Sequence, residues 1–149
     1  MAPLDLKAAV LGLINDEARN AQAGKPARIT AKMNALADPD VIQALYRAAQ
    51  AGVEIDLVVR GICCLRPGVP GVSERIRVTS VVDRFLERAR VWLFEAGGER
   101  KVYLSSADWM PRNFVRRVEI AFAVEDAEVK QRLVGAILGF SLASRRKRR

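Results

Sequence analysis

The stretch VEIDLVVRGICCLRPGVPG limits the fold most tightly. Val53, Ile55, Leu57, Val58 and Val59 form a dense apolar stretch rich in β-branched residues, interrupted only by Glu54 and Asp56, the pattern of a strand covered on both faces. The run stops at Arg60, followed by Gly61, two cysteines and a loop of prolines and glycines. A charge at the end of such a strand is placed by it.

The residues upstream supply the strand's partners. ARITAKMN reads as another strand, after which Asp38 caps a helix that has Pro39 at its first position, Val41, Ile42, Leu45 and Tyr46 on its inner face, and Gly52 at its end. Strand, helix and strand with short connections predict a right-handed βαβ unit and a parallel core sheet. A helix from Asp5 to about Ala23 precedes it, with Leu6, Val10, Leu13 and Ile14 at helical spacing and Gly24 and Pro26 as its stop.

Downstream the pattern is mixed. RIRVTSV alternates weakly, VVDRFLER reads as a short helix, and ARVWLFEA turns through Gly97 and Gly98 into KVYLSS as a hairpin. RRVEIAFAV is a last strand, and Asp126 opens a closing helix with Val129, Leu133, Ile137 and Leu138 inward. The expectation is one α/β domain over residues 2–144 with a mixed, partly parallel sheet, followed by a disordered basic tail over 145–149.

Composition narrows the chemistry. Lys and Arg outnumber Asp and Glu by 25 to 17, a formal net charge of +8. Five of those eight excess charges are Arg145, Arg146, Lys147, Arg148 and Arg149, which leaves the body at +3. Histidine is absent, which excludes His-based acid–base catalysis, triads and phosphohistidine chemistry within this chain. Cys63 and Cys64 are neighbours with no second pair to complete a zinc site, and two reduced, small buried thiols are expected. MAPLDLKAAV has no signal-peptide pattern and no run reaches the roughly 20 apolar residues of a membrane span, so a cytoplasmic protein is expected.

The arginines carry the functional reading. Ligands of open α/β sheets gather outside the carboxyl ends of strands, where Arg60 stands beside Gly61, a residue that lets a ligand approach the backbone. A guanidinium matches phosphate with a rigid fork of donors. SSADWMPRNFVRRVE adds Ser105, Ser106, Asp108, Arg112, Asn113, Arg116 and Arg117, and the two clusters together read as an oxyanion site. Each piece also has a plain alternative: Arg60 and Arg117 paired with Glu74 or Glu119, Asp108 as a helix cap, Trp109 as a core anchor, and the basic run as a solvated end.

Taken together, GKPARITAKMNALADPDVIQALYRAAQAGVEIDLVVRGICCLRPGVPGVSERIRV and KVYLSSADWMPRNFVRRVE resemble the C-terminal part of bacterial polyphosphate kinase, from about Ala2 to the last helix, with only the arginine tail outside. The resemblance implies a phospholipase D-like α/β/α sandwich, the second of two related domains that face each other across an active site. It implies reversible transfer of the ATP γ-phosphate onto polyphosphate, through a phosphohistidine on the preceding domain and with magnesium whose ligands are not in this chain. Arg60 matches the family arginine of the VRG word and Arg117 the second of the RR pair, both phosphate contacts. Where the family reads FLEH this chain reads FLER, so Arg88 stands at the place of the second catalytic histidine. Arginine stabilises phosphoryl charge but exchanges no proton near neutral pH.

Three readings follow. The chain is a polyphosphate kinase fragment or stand-alone copy without the phosphohistidine domain, inactive alone, or a non-catalytic polyphosphate or nucleotide binder and degenerate remnant. The third, a nucleic-acid binder driven by the tail, has no aromatic platform behind it. ATP, polyphosphate and the N-terminal part of a polyphosphate kinase are the implied partners, with self-association expected when that part is missing.

Overall fold

Strand β1 (Arg28–Met33), helix α2 (Pro39–Ala51) and strand β2 (Glu54–Val59) form the expected unit, with β1 and β2 parallel and in register from Arg28 opposite Glu54 to Met33 opposite Val59. The computed structural model describes residues 6–79, 90–105, 109 and 121–147. The ends of α2 are fixed by the residues that predicted them. Asp38 accepts hydrogen bonds from the backbone N–H of Asp40 and Val41, at 3.0 and 3.1 Å, and Gly52 closes the helix at φ +112°, a left-handed conformation costly for any residue with a Cβ.

Helix α1 (Leu6–Gln22) precedes this unit, and β3 (Ile76–Thr79), β4 (Arg90–Phe94), β5 (Lys101–Ser105), β6 (Ala121–Ala123) and α3 (Ala127–Lys147) follow it. The six-stranded sheet has the order β3-β2-β1-β4-β5-β6. β3 is parallel to β2, whereas β4, β5 and β6 each run antiparallel to the strand before them in that order. The β4–β5 hairpin turns at Gly97 and Gly98, φ +70° and +107°, as their sequence predicted.

The sheet is covered on both faces. Ile29, Ala31 and Met33 of β1, Ile55, Leu57 and Val59 of β2, and Trp92 and Phe94 of β4 pack under α1 and α2, where Leu6, Val10, Ile14, Val41 and Leu45 are buried. On the other face Val91, Leu93 and Val102 meet Val134 and Ile137 of α3. The strict alternation along β1 separates the two cores, and each large apolar side chain so buried contributes about 1.5–3 kcal/mol.

Two expectations about α3 change. Asp126 caps it, accepting from the Val129 N–H at 3.0 Å, but Val129 is 46% exposed. The first turn stands clear of the core, and the inner face is set by Val134 and Ile137, with the expected Leu133 and Leu138 packed against them partly buried. The helix runs through Lys147, so the expected boundary between 144 and 145 falls inside it. The expected VVDRFLER helix lies outside the described residues, as does the start of the last strand.

Two carboxylates fasten the amino half of the sheet. Glu17 of α1 is buried and accepts from the N–H of Arg28 at 2.9 Å and of Ala96 at 2.6 Å, joining α1 to β1 and to the β4–β5 turn. Asp56 of β2 accepts from Arg28 at 2.5 Å and Arg77 at 2.7 Å, across the two neighbouring strands.

Candidate functional site

The parallel pairing of β1 and β2 outlasts the strands. The Arg60 N–H donates to the Met33 carbonyl at 3.1 Å, the Gly61 N–H to Asn34 at 2.8 Å, and the Cys64 N–H to Leu36 at 2.8 Å. This zipper carries the chain beyond the core with the β1 end beside it and leaves Arg60 exposed directly after five consecutive buried residues. A buried strand is a rigid base, so the guanidinium is presented from a fixed root.

Gly61 has a different reason from the one expected. A Cβ there would lie 3.0 Å from the Asn34 carbonyl oxygen, so glycine is required by the close approach of the β1 backbone. The loop that follows is stapled in place. The Tyr46 hydroxyl accepts from the Arg66 N–H at 2.9 Å, and the Ser73 hydroxyl donates to the Arg66 carbonyl at 2.6 Å and accepts from the Val69 N–H at 3.0 Å. A segment rich in Pro and Gly is thereby held by side chains where no ladder holds it.

The carboxyl edge gathers residues from five strands. Beside Arg60 and Asn34 stand Thr79 at the end of β3, Lys32 on β1, and Arg90, which opens β4 opposite Ser105 of β5. Lys32 is only 4% exposed. Ser105 is the member of the SSADWMPRN word that the described residues place here; Lys32 and Arg90 come to the edge without a motif. The signal for Lys32 is the alternation of Arg28, Thr30 and Lys32 with Ile29, Ala31 and Met33, which puts three polar residues on one face.

Trp109 anchors the second word. Its N–H donates to the Ala35 carbonyl at 3.2 Å and its carbonyl accepts from Ala37 and Asp38 at 2.8 and 2.9 Å. Its ring is fully buried, 5.5 Å from that of Trp92, as its reading as a core anchor required. Thr79 and Arg90, which flank residues 80–89, Ser105, which opens the second word, and Ala121, which lies beyond it, all stand at this edge. Arg88 and Arg117 lie outside the described residues, together with Ser106, Asp108, Arg112, Asn113 and Arg116.

The cysteines divide. Cys63 is half-buried with its Sγ 3.6 Å from the Leu65 carbonyl, and burial pushes its thiol pKa up, which disfavours the reactive thiolate. Cys64 is exposed, contrary to the expectation of two buried thiols, because the zipper turns successive residues to opposite sides.

Magnesium does not fit what the described residues offer. It demands oxygen ligands in near-octahedral array, and among the described residues no group of three or more Asp, Glu or Cys side chains converges to hold a metal. Asp38 and Asp40, at the start of α2, are engaged by backbone N–H groups and by Lys7, and the edge itself presents cations. A cavity of about 660 Å³ opens at the opposite end of the sheet, where Arg100, Lys101 and Lys130 are offset by Glu99 and Glu125. Its position separates it from Arg60 and both words.

A mixed sheet covered by helices on both faces, with cations collected at the carboxyl ends of its parallel strands, defines a phospholipase D-like α/β domain. Its fold matches that of a phospholipase D family member, Nuc from Salmonella typhimurium, with a TM-score of 0.61 at 12% identity over 93% of this chain and 87% of that one. The particular family is narrower: residues 1–148 match Polyphosphate kinase C-terminal domain 2, and the chain belongs to that family. It is 55% identical over 141 residues, 95% of its length, to the polyphosphate kinase of Burkholderia cenocepacia (strain HI2424). The crystal structure of polyphosphate kinase from Porphyromonas gingivalis superposes with a TM-score of 0.84 at 47% identity, over 89% of this chain and 20% of that one. The chain spans 20% of the length of the Burkholderia relative. Among the described residues no helix is long and apolar enough to cross a membrane.

Proposed function

We propose that this domain forms one wall of a phosphoryl-transfer site, holding phosphate groups of ATP and polyphosphate with Arg60 and Arg117 while a preceding catalytic domain supplies the phosphohistidine. The observation that carries the reading is Arg60, exposed at the carboxyl end of a buried strand within the family's VRG word and rooted by the β1–β2 zipper. There a guanidinium can meet phosphate oxygens with paired donors and offset their charge without moving its backbone.

Arg88 favours a second reading, a binder that has lost catalysis. At the position of the family's second histidine it can stabilise charge on a phosphoryl group but transfers no proton, and no histidine elsewhere in the chain takes over. Both readings make this a cytoplasmic domain that forms no phosphoenzyme by itself. Its partner is the remainder of a polyphosphate kinase, with self-association through the open edge where that partner is absent. Magnesium would enter with the nucleotide or from the partner.

Titration calorimetry with tripolyphosphate tests the site. Arg60→Ala should weaken binding by about 1.5–3 kcal/mol, the range for hydrogen bonds to charged groups, and unchanged affinity overturns the reading. Incubation with labelled ATP should give no acid-labile, hydroxide-stable phosphoprotein, even after Arg88→His. A labelled band from the unaltered chain would refute the loss of catalysis.

A further inference from the structure

The phosphate site leaves the opposite end of the sheet without a role. There a second cavity, of about 470 Å³, adjoins the one of about 660 Å³ and shares Arg100 and Lys130 with it. Gln131, Val134, Gly135 and Leu138 of α3 complete its described lining. Lys130, Val134 and Leu138 follow one another at four-residue steps, with Gln131 and Gly135 beside them, so the cavity runs along one stripe of the helix. Glu99 and Glu125 line only the larger cavity. The smaller one therefore has two cations, an apolar floor and, among the described residues, no carboxylate in its wall.

The two cations are held differently. Arg100 donates from Nε to the Glu95 carboxylate at 3.0 Å, which orients the guanidinium, and its Nη groups have no partner among the described residues. Lys130 has no ion pair there either. Two cations less the Glu95 carboxylate leave one positive charge, which a single carboxylate balances while it accepts paired donors from the Nη edge. The floor calls for an apolar body, since Val134 is buried and Leu138 partly buried along it. Gly135 makes the room for one. A Cβ there would meet nothing within 4 Å, so no close packing requires the glycine, although glycine is the poorest helix former after proline.

We propose that this cavity is a binding site for a small amphiphilic carboxylate, its head between Arg100 and Lys130 and its apolar body along Val134, Gly135 and Leu138. The volume lies within the range of about 300–1,000 Å³ in which small ligands are held. Burial of the apolar body supplies affinity, and the cation pair selects the anionic head. Polyphosphate has charge but no apolar body to lay on α3, which separates this site from the Arg60 edge in chemistry as well as in position.

The test uses the full chain, Gly135→Leu, and a variant carrying Arg100→Gln and Lys130→Gln, with thermal melting to confirm that all three are folded. Octanoate below its micellar concentration is titrated by calorimetry beside 1-octanol and octyltrimethylammonium, which carry the same body with a neutral or a cationic head. Octanoate should bind at least about tenfold more tightly than either. The two-charge variant should lose at least about tenfold in octanoate affinity, as a hydrogen bond to a charged group is worth that much. Gly135→Leu should lose as much, because its side chain fills the cavity. Excess tripolyphosphate should leave octanoate in place. Absence of octanoate binding, equal binding of 1-octanol or of the ammonium, full affinity in either variant, or displacement by tripolyphosphate overturns the proposal. So does concentration-dependent self-association that Gly135→Leu abolishes and octanoate does not affect, which would give the cavity to a second copy of this chain.

Discussion

In the amino half of the sheet, Arg28 and Arg77 close on the buried Asp56 carboxylate from the two strands beside it, whereas at the carboxyl end Arg60 leaves an equally buried strand and stands exposed. The side-chain type is the same in both places. What differs is the company the sheet provides. Asp56 would have its pKa raised by burial, but hydrogen bonds from Arg77 and Arg28, with their charges, hold it below the usual carboxylate value. That cluster is a structural ion network. The carboxyl end of the described strands instead collects Lys32, Arg60 and Arg90.

The contrast can be broken or sharpened by measurement. The largest effect is expected at Trp109, the buried anchor that ties the second word to the end of β1. Trp109→Ala should cost about 3–5 kcal/mol in urea denaturation, the range for deleting a large core aromatic, and a loss below 1 kcal/mol would mean that the carboxyl edge is held elsewhere. Asp56→Ala, which strands two arginines one-third exposed, should cost about 3 kcal/mol, the lower end for breaking a buried ion pair. Arg60→Ala should stay within about 0.5 kcal/mol of the unaltered stability, as surface changes do. Equal losses at 56 and 60 would erase the distinction between the two ends.

Acid and base should act on the two buried carboxylates in opposite senses. Asp56 has a folded pKa below the ordinary aspartate value of 3.8, so its contribution is present above that pH and is lost as pH falls through the lower folded value. Glu17 is raised above 4.5 by burial, against the two backbone N–H groups it accepts from, so its contribution is complete below 4.5 and declines as pH rises through the folded value. Glu17→Gln keeps an acceptor oxygen but cannot titrate. It should cost about 1 kcal/mol near pH 4, one hydrogen bond's worth, with the deficit shrinking as pH rises in melting curves taken from pH 4 to 8. A deficit that grows with pH would reverse the assignment.

Much of this architecture is legible before any coordinates. Asp38, Pro39 and Gly52 bound α2 through local backbone chemistry, the four apolar residues of β2 and Val53 before it announce a strand buried on both sides, and Gly97 and Gly98 mark the hairpin, because caps, periodicity and turns act over a few neighbouring residues. The family words and the arginine at position 88 are equally properties of the chain alone. Periodicity was less reliable for α3, where it proposed Val129 as an inward residue and the sheet selected Val134, since a helix's inner face depends on where its first turn meets the strands.

What only the tertiary structure decided is which charges are occupied. Arg28, Asp56 and Arg77 are far apart in sequence and meet through strand register; Glu17 becomes a staple because α1 lies against the β1 entrance; Gly61 is required by a carbonyl 27 residues earlier in the chain. The physical reason is common to all three. Desolvation and hydrogen bonding are properties of a position in space, set by elements that the sequence specifies one at a time and that acquire their neighbours only when the sheet assembles.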